Sequence, residues 1–123
     1  MAKFKKTDKK TLRFIPLGGA GQVNRNMFAY EYGQDIIIFD CGMGFPSAET
    51  PGVDAAIPDI SYLRDKGKLG NVRGIIITHA HYDHFGAVPH LLPELDVPVY
   101  ASKLTLAFVK ATMADKGLNL NQF

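Results

Sequence analysis

Residues 78–86, which read T-H-A-H-Y-D-H-F-G, constrain this chain more than any other feature. They follow the apolar run 74–77, which predicts a buried strand. Three of the chain's four histidines fall inside the segment, together with one aspartate. Such side chains directly after a strand predict a metal site at the strand's carboxyl end, in preference to a loop that merely carries polar residues.

The spacing of these side chains predicts two cations. His79 and His81 lie two positions apart on extended chain, so both rings point the same way and can reach one ion. Asp83 and His84 follow where the chain should turn into a helix, and their different direction lets them serve a second ion. Imidazole and carboxylate without thiolate favour zinc or a similar divalent ion, in a site of the catalytic type that keeps a position open for water.

This pattern resembles the signature of the metallo-β-lactamase superfamily. The flanking segments resemble one branch of it more closely, the ribonuclease J family of β-CASP nucleases. They are 17–21 (LGGAG), Asn26-Met27, 38–42 (IFDCG), Phe45-Pro46, 52–54 (GVD), 57–63 (IPDISYL) and 97–106 (VPVYASKLTL). The likeness runs from Leu12 to Lys110, so it covers nearly the whole chain.

The resemblance implies an α/β fold and a ligand set. The fold is the αββα sandwich of the superfamily, in which two sheets face each other between helix layers, and this chain would be its first half. The metal ligands are His79, His81, Asp83 and His84, which would hold two divalent ions. Zinc is the first choice of ion, with manganese or magnesium as alternatives. Asp83 would also be catalytic, by orienting the attacking water or accepting its proton.

Other residues take supporting places in this scheme. Asp40 and Thr78 would support the metal ligands by hydrogen bonding without binding metal themselves. Gly19 and Tyr82 would lie near the substrate. The implied substrate is single-stranded RNA, cut from its 5′ end with internal cleavage as well. The hydrolysis would use a hydroxide bound by both ions, and the full-length enzyme would be a homo-oligomer.

The chain departs from the family pattern in two ways. Glycine and glutamate are usual at the positions of Ala80 and Tyr82, and glutamate at that of Gln22. Because Tyr82 places a bulky ring beside the metals, substrate fit is more affected than metal binding. The family also takes a later histidine, a bridging aspartate and a further histidine from positions beyond Phe123. We therefore expect an incomplete fragment that is inactive by itself and lacks the β-CASP domain.

Composition sets the broad class. The 123 residues are 46% hydrophobic and 21% charged, which is typical of a globular protein. Residues 1–10 hold five lysines and predict a basic flexible tail, so residues 11–123 would be the N-terminal part of the catalytic domain. No secretory signal or membrane span is apparent. A cytoplasmic protein is expected, and its single cysteine, Cys41, should be a small core residue.

Periodicity places the elements. Strands are predicted at 12–17, 26–32, 35–40, 74–77 and 97–101, with an antiparallel hairpin at Gly33-Gln34. A short helix is predicted over residues 58–69. A longer one should begin after the N-cap Ser102 and reach Lys116, where Gly117 stops it, with Leu104, Phe108 and Ala111 facing inward. The loop 18–26 should approach the metal segment, residues 78–86.

Two alternatives stay open. One is another hydrolase of the same fold that acts on a thioester, lactam or phosphoester. The other is a non-catalytic truncated half-domain with a binding or regulatory role.

Overall fold

A computed structural model describes residues 11–21, 24–44, 56–115 and 117. The predicted tail at 1–10 lies outside these residues. So do Gln22, Phe45-Pro46, the segment 52–54 and Lys116. Element bounds below refer to the described part of the chain.

The strands form one five-stranded sheet with its strands in chain order. They are β1 (Leu12–Gly18), β2 (Met27–Tyr32), β3 (Asp35–Phe39), β4 (Val72–Ile76) and β5 (Val99–Tyr100). Neighbours from β1 to β3 pair antiparallel, and those from β3 to β5 pair parallel. The predicted hairpin is confirmed, because Tyr32 pairs with Asp35 across a two-residue turn whose leading Gly33 has φ +63°.

Four α-helices lie between or after the strands in the described part of the chain. They are α1 (Ser61–Asp65), α2 (Tyr82–Phe85), α3 (Val88–Leu95) and α4 (Lys103–Asp115), and a 3₁₀ turn covers Leu69–Asn71. The first helix is shorter than predicted because Gly67 takes a left-handed backbone, with φ +67°, and ends the turn. None of the helices in the described part is long and apolar enough to cross a bilayer.

The hydrophobic core lies between one face of the sheet and the helices. Alternate strand residues point into it and are fully buried, as the two-residue period of a strand requires; they include Met27, Ala29, Ile36, Ile38 and Ile75. The helices contribute side chains such as Leu63, Leu92 and Val109. Cys41 belongs to this core, as predicted, and burial raises the pKa of its thiol well above the usual range.

The opposite face of the sheet carries an aromatic ladder. Phe14 on β1 stacks on Phe28 and touches Tyr30 on β2, with ring centroids 5.6 and 5.2 Å apart. Tyr30 in turn meets Phe39 on β3 at 5.3 Å. Phe14 is 54% exposed, so this face has an apolar surface that the described helices leave open.

The predicted inward face of α4 is wrong. Leu104 and Phe108 are 69% and 51% exposed, and Ala111 is exposed with them. The buried residues are Thr105, Val109 and Met113. Both sets of residues have helical spacing, and the tertiary contacts of the helix bury the set that contains Val109. The N-cap and the stop are as predicted, because Ser102 Oγ accepts the Thr105 amide at 3.2 Å and Gly117 takes φ +69°.

Candidate metal centre

The metal segment lies at the edge of the sheet where the parallel strands end. Asp40 follows β3, and Thr78 follows β4 by two residues. Because β1 and β2 pair antiparallel, the end of β1 and the start of β2 meet at the same edge. The Asn26 amide donates to the Asp83 carbonyl at 3.0 Å, which confirms the prediction that the loop 18–26 approaches this segment.

The four predicted ligands come together here. His81 is extended, with φ −117° and ψ 143°, and it precedes α2, which carries Asp83 and His84. The His79 and His81 ring centroids are 4.7 Å apart, and those of His79 and His84 are 4.0 Å apart. Asp83 Oδ2 lies 3.5 Å from His84 Nε2. His79 thus packs closer to His84 than to His81, which was its expected partner at one ion.

Asp40 connects to two of the histidines. Its carboxylate lies 2.8 Å from His84 Nδ1 and accepts the Thr78 amide at 2.8 Å. The Thr78 hydroxyl donates to the same carboxylate at 3.0 Å and lies 2.9 Å from His79 Nδ1. With that hydroxyl proton directed to Asp40, the Thr78 oxygen would accept from a protonated His79 Nδ1. In the tautomer with the proton on Nδ1, both imidazoles would present the lone pair of Nε2, as a metal ligand needs.

The backbone at Asp40 is strained in a way that serves this contact. Asp40 is 5% exposed and has φ +68°, a left-handed conformation that a non-glycine residue adopts at some cost. This conformation turns the chain at the end of β3, so the carboxylate faces Thr78 and His84. These are contacts that a supporting residue makes, and the supporting role itself stays a prediction.

A second set of contacts holds the backbone of α2. The carbonyl oxygens of residues 82–84 accept hydrogen bonds from groups outside the helix. Met43 N donates to the Tyr82 carbonyl at 3.0 Å, and Cys41 N donates to the His84 carbonyl at 2.8 Å. Asn26 donates twice to the Asp83 carbonyl, from its backbone amide at 3.0 Å and from Nδ2 at 2.9 Å. We call this set of contacts the backbone clamp.

Gly42 is the residue that lets the backbone clamp close. A Cβ added at this position would lie 1.8 Å from the Asp83 carbonyl oxygen and 2.8 Å from the Asn26 amide nitrogen. Only glycine allows these two backbone segments to approach so closely. Sequence reasoning singled out neither Asn26 nor Gly42 as functional. Their only signal was their position beside a strand end, within segments that carried the family resemblance.

The donor chemistry of the site fits divalent metal. Three imidazoles and a carboxylate lie side by side, and His79 and His84 make their contacts to Thr78 and Asp40 through Nδ1. Within the described residues, no three histidine, cysteine or carboxylate side chains converge closely enough to hold one ion. The tilted contact between the His79 and His84 rings explains this, since the rings pack against each other.

Gly19 and Tyr82 flank this centre. Gly19 has φ +85° and lies against Asn26, because a Cβ there would be 2.6 Å from Asn26 Oδ1. Tyr82 separates His81 from Asp83 and is 51% exposed. Their predicted nearness to substrate stays a prediction.

Comparison with known proteins places this geometry in a family. The family model described as the metallo-beta-lactamase superfamily matches residues 20–122. The chain belongs to the metallo-beta-lactamase superfamily. Membership of this superfamily implies divalent metal ions. The α/β fold class predicted from the sequence is likewise confirmed.

Within this superfamily the chain is similar to ribonucleases J. It is 44% identical to ribonuclease J 2 of Staphylococcus aureus over 115 residues, which are 93% of this chain and 20% of that protein. It is 47% identical to ribonuclease J of Sinorhizobium meliloti over 107 residues, which are 84% of this chain and 19% of that protein. The chain thus spans about a fifth of the length of these relatives. The predicted resemblance is confirmed.

A solved structure supports the fold alone. Human tRNase Z, short form, superposes with a TM-score of 0.55 and 22% sequence identity, over 89% of this chain and 41% of that one.

Proposed function

We propose that this chain is part of a metal-dependent ribonuclease that hydrolyses phosphodiester bonds of single-stranded RNA. The observation that carries the proposal is its 44% identity to a ribonuclease J over 93% of the chain, a match that includes the metal segment. In this proposal the chain is the N-terminal part of a metallo-β-lactamase domain. Residues outside it complete the αββα sandwich and add a β-CASP domain that clamps RNA.

The metal ligands proposed are His79, His81, Asp83 and His84. Zinc suits this set best, and manganese or magnesium are the alternatives. Two bound ions would polarise the phosphate and lower the pKa of water toward neutrality. The Asp83 carboxylate, whose Oδ2 lies 3.5 Å from His84 Nε2, would orient the attacking water and accept its proton.

The residues around the ligands have positioning roles in this proposal. The Asp40 carboxylate orients His84 directly and His79 through the Thr78 hydroxyl. Such supporting contacts typically change metal affinity by about 10–100-fold. The backbone clamp fixes the carbonyl of Asp83, so the carboxylate of that residue starts from a fixed backbone.

We extend the proposal to direction and setting by the resemblance to ribonuclease J. The enzyme degrades RNA from the 5′ end and also cuts internally. It works in the cytoplasm as a homo-oligomer.

The test is hydrolysis of 5′-monophosphorylated single-stranded RNA by the complete protein, with added zinc or manganese. Asp83→Ala should abolish turnover while RNA binding is kept, because most of the affinity comes from contacts to the RNA backbone elsewhere. The matched control is Asp115→Ala, which removes an exposed carboxylate at the end of α4 and should leave the rate unchanged. Full activity in Asp83→Ala would refute the assigned role, and no cleavage by the wild type would refute the function.

We also propose that the 123-residue chain is inactive when it is expressed alone. Zinc takes about four ligands, so four donors from one segment leave two ions short of protein ligands. Calorimetric titration should detect only weak zinc binding, which the double variant His79→Ala, His81→Ala removes. Two tight zinc sites, or cleavage of RNA that a chelator stops, would contradict this.

A further inference from the structure

Tyr82 is the side chain at the metal segment that no role so far explains. It stands between two proposed ligands, His81 and Asp83, yet the residue is 51% exposed. We propose that the open face of this ring stacks on a nucleobase of the bound RNA and forms a base-binding subsite beside the metal centre. This inference rests on the proposed function and adds the part of the substrate that the site holds besides the phosphate.

The ring is held in place from below. It stacks on Phe85, with centroids 5.1 Å apart and planes at 22°, and Phe85 is itself 3% exposed in the core. A Cβ added at Gly86 would lie 2.8 Å from Tyr82 Cδ1, so the ring rests directly on the backbone there. The backbone of Tyr82 is fixed too, because its carbonyl accepts from Met43 N and Gly86 N at 3.0 and 2.8 Å. The ring thus loses little conformational freedom when something binds to it.

One face of the ring stacks on Phe85, and Tyr82 as a whole is still 51% exposed. A rigid aromatic plane with one open face suits a flat, polarisable partner, and every nucleobase presents such a face. A ring needed only to fill the core would be buried as Phe85 is.

The position of the subsite follows from the chain order. Tyr82 is adjacent in sequence to His81 and Asp83, so a base on this ring belongs to a nucleotide next to the phosphate at the metal centre. The ring packs on Phe85 and Gly86, which are not candidate ligands. Stacking should therefore strengthen RNA binding and lower KM without changing kcat, and it should tolerate all four bases.

The experiment measures KM and kcat of the complete protein on a 5′-monophosphorylated RNA with single abasic nucleotides placed along it. For the wild type, one abasic position near the cleaved bond should raise KM about tenfold. Tyr82→Leu should raise KM for intact RNA about as much, and that abasic position should then add no further penalty. Tyr82→Phe keeps the ring and should behave as wild type. Tyr32→Leu is the control, because Tyr32 is 50% exposed and lies at the other end of β2.

A second readout does not need turnover. An RNA with 2-aminopurine at the sensitive position should lose fluorescence on binding to wild type and to Tyr82→Phe, with a chelator present, and should keep it with Tyr82→Leu. Unchanged KM in Tyr82→Leu, or an abasic penalty of equal size in that variant and in wild type, would overturn the inference. Failure of the wild type to cleave RNA would instead overturn the proposed function, and the fluorescence would still decide whether the ring stacks on a base.

Discussion

Replacing Gly42 by alanine should open the metal segment. The added Cβ would meet the Asp83 carbonyl oxygen at 1.8 Å, whereas real Cβ atoms essentially never come within 3.0 Å of such an atom. The backbone segments at Gly42 and Asp83 must therefore separate by more than 1 Å. The atoms in the way are backbone, so no side-chain rotation can relieve the clash.

The size of the effect follows from the hydrogen bonds at this point. Asn26 donates twice to the Asp83 carbonyl, at 3.0 and 2.9 Å, and its own carbonyl accepts from Gly42 N at 2.9 Å. Each bond contributes about 1 kcal/mol net, so losing all three should lower the free energy of unfolding by about 3 kcal/mol. Since Asp83 and His84 sit on the displaced backbone, metal affinity should fall as well.

Urea denaturation of the purified protein measures the stability change, and calorimetric titration with zinc measures the affinity. Gly70→Ala is the matched control, because a Cβ there meets nothing within 4 Å and the residue needs no positive φ. That variant should be as stable as wild type or slightly more so. If Gly42→Ala keeps both the stability and the zinc affinity of wild type, the close approach does not hold the site together and our account of it is wrong.

Three further predictions concern the rest of the fold. Asp40→Ala should lower zinc affinity by about 10–100-fold in calorimetry, since two histidines lose their orientation, and an unchanged affinity would contradict the support role. Lys68→Met should cost about 3 kcal/mol in urea denaturation, because it removes the ion-pair partner of the buried Glu31 carboxylate. Arg73→Met, which breaks the exposed pair with Asp35, should cost less than about 0.5 kcal/mol. The hydrogen bond to Glu31 raises the pKa of Lys68. The stability that the Lys68–Glu31 pair contributes should therefore persist at neutral pH and disappear only as the pH rises through that pKa. Val109→Ala should cost about 2 kcal/mol and Phe108→Ala about 0.5 kcal/mol or less, and the reverse order would restore the face of α4 predicted from sequence.

The proximity of the four candidate ligands was predictable because its information is local. His79, His81, Asp83 and His84 lie within six positions, and an apolar run before them marks the strand that carries them. Strand alternation and the hairpin at Gly33 are local signals of the same kind. The sheet and the edge where the site lies could therefore be placed from the sequence.

The features that sequence reasoning missed depend on tertiary contacts. On α4 two apolar stripes compete, one through Phe108 and one through Val109, and only docking decides which is buried. The backbone clamp is also non-local, because Asn26 and Asp83 are 57 positions apart. Its donors are mostly backbone groups, which leave no signature in side-chain type except the glycine that allows the approach.

This division of the information has a consequence for the metal. Asp40, 44 positions before His84, can orient that ring only after β3 and β4 have paired, and the clamp needs the start of β2 as well. The unfolded chain therefore contains every proposed ligand in one segment but not the oriented site. Metal should bind the folded state far more tightly than the unfolded one, and each tenfold in that preference adds about 1.4 kcal/mol of stability under saturating conditions. The contacts that orient His84 and fix Asp83 thereby couple the folding of the sheet to the affinity of the site.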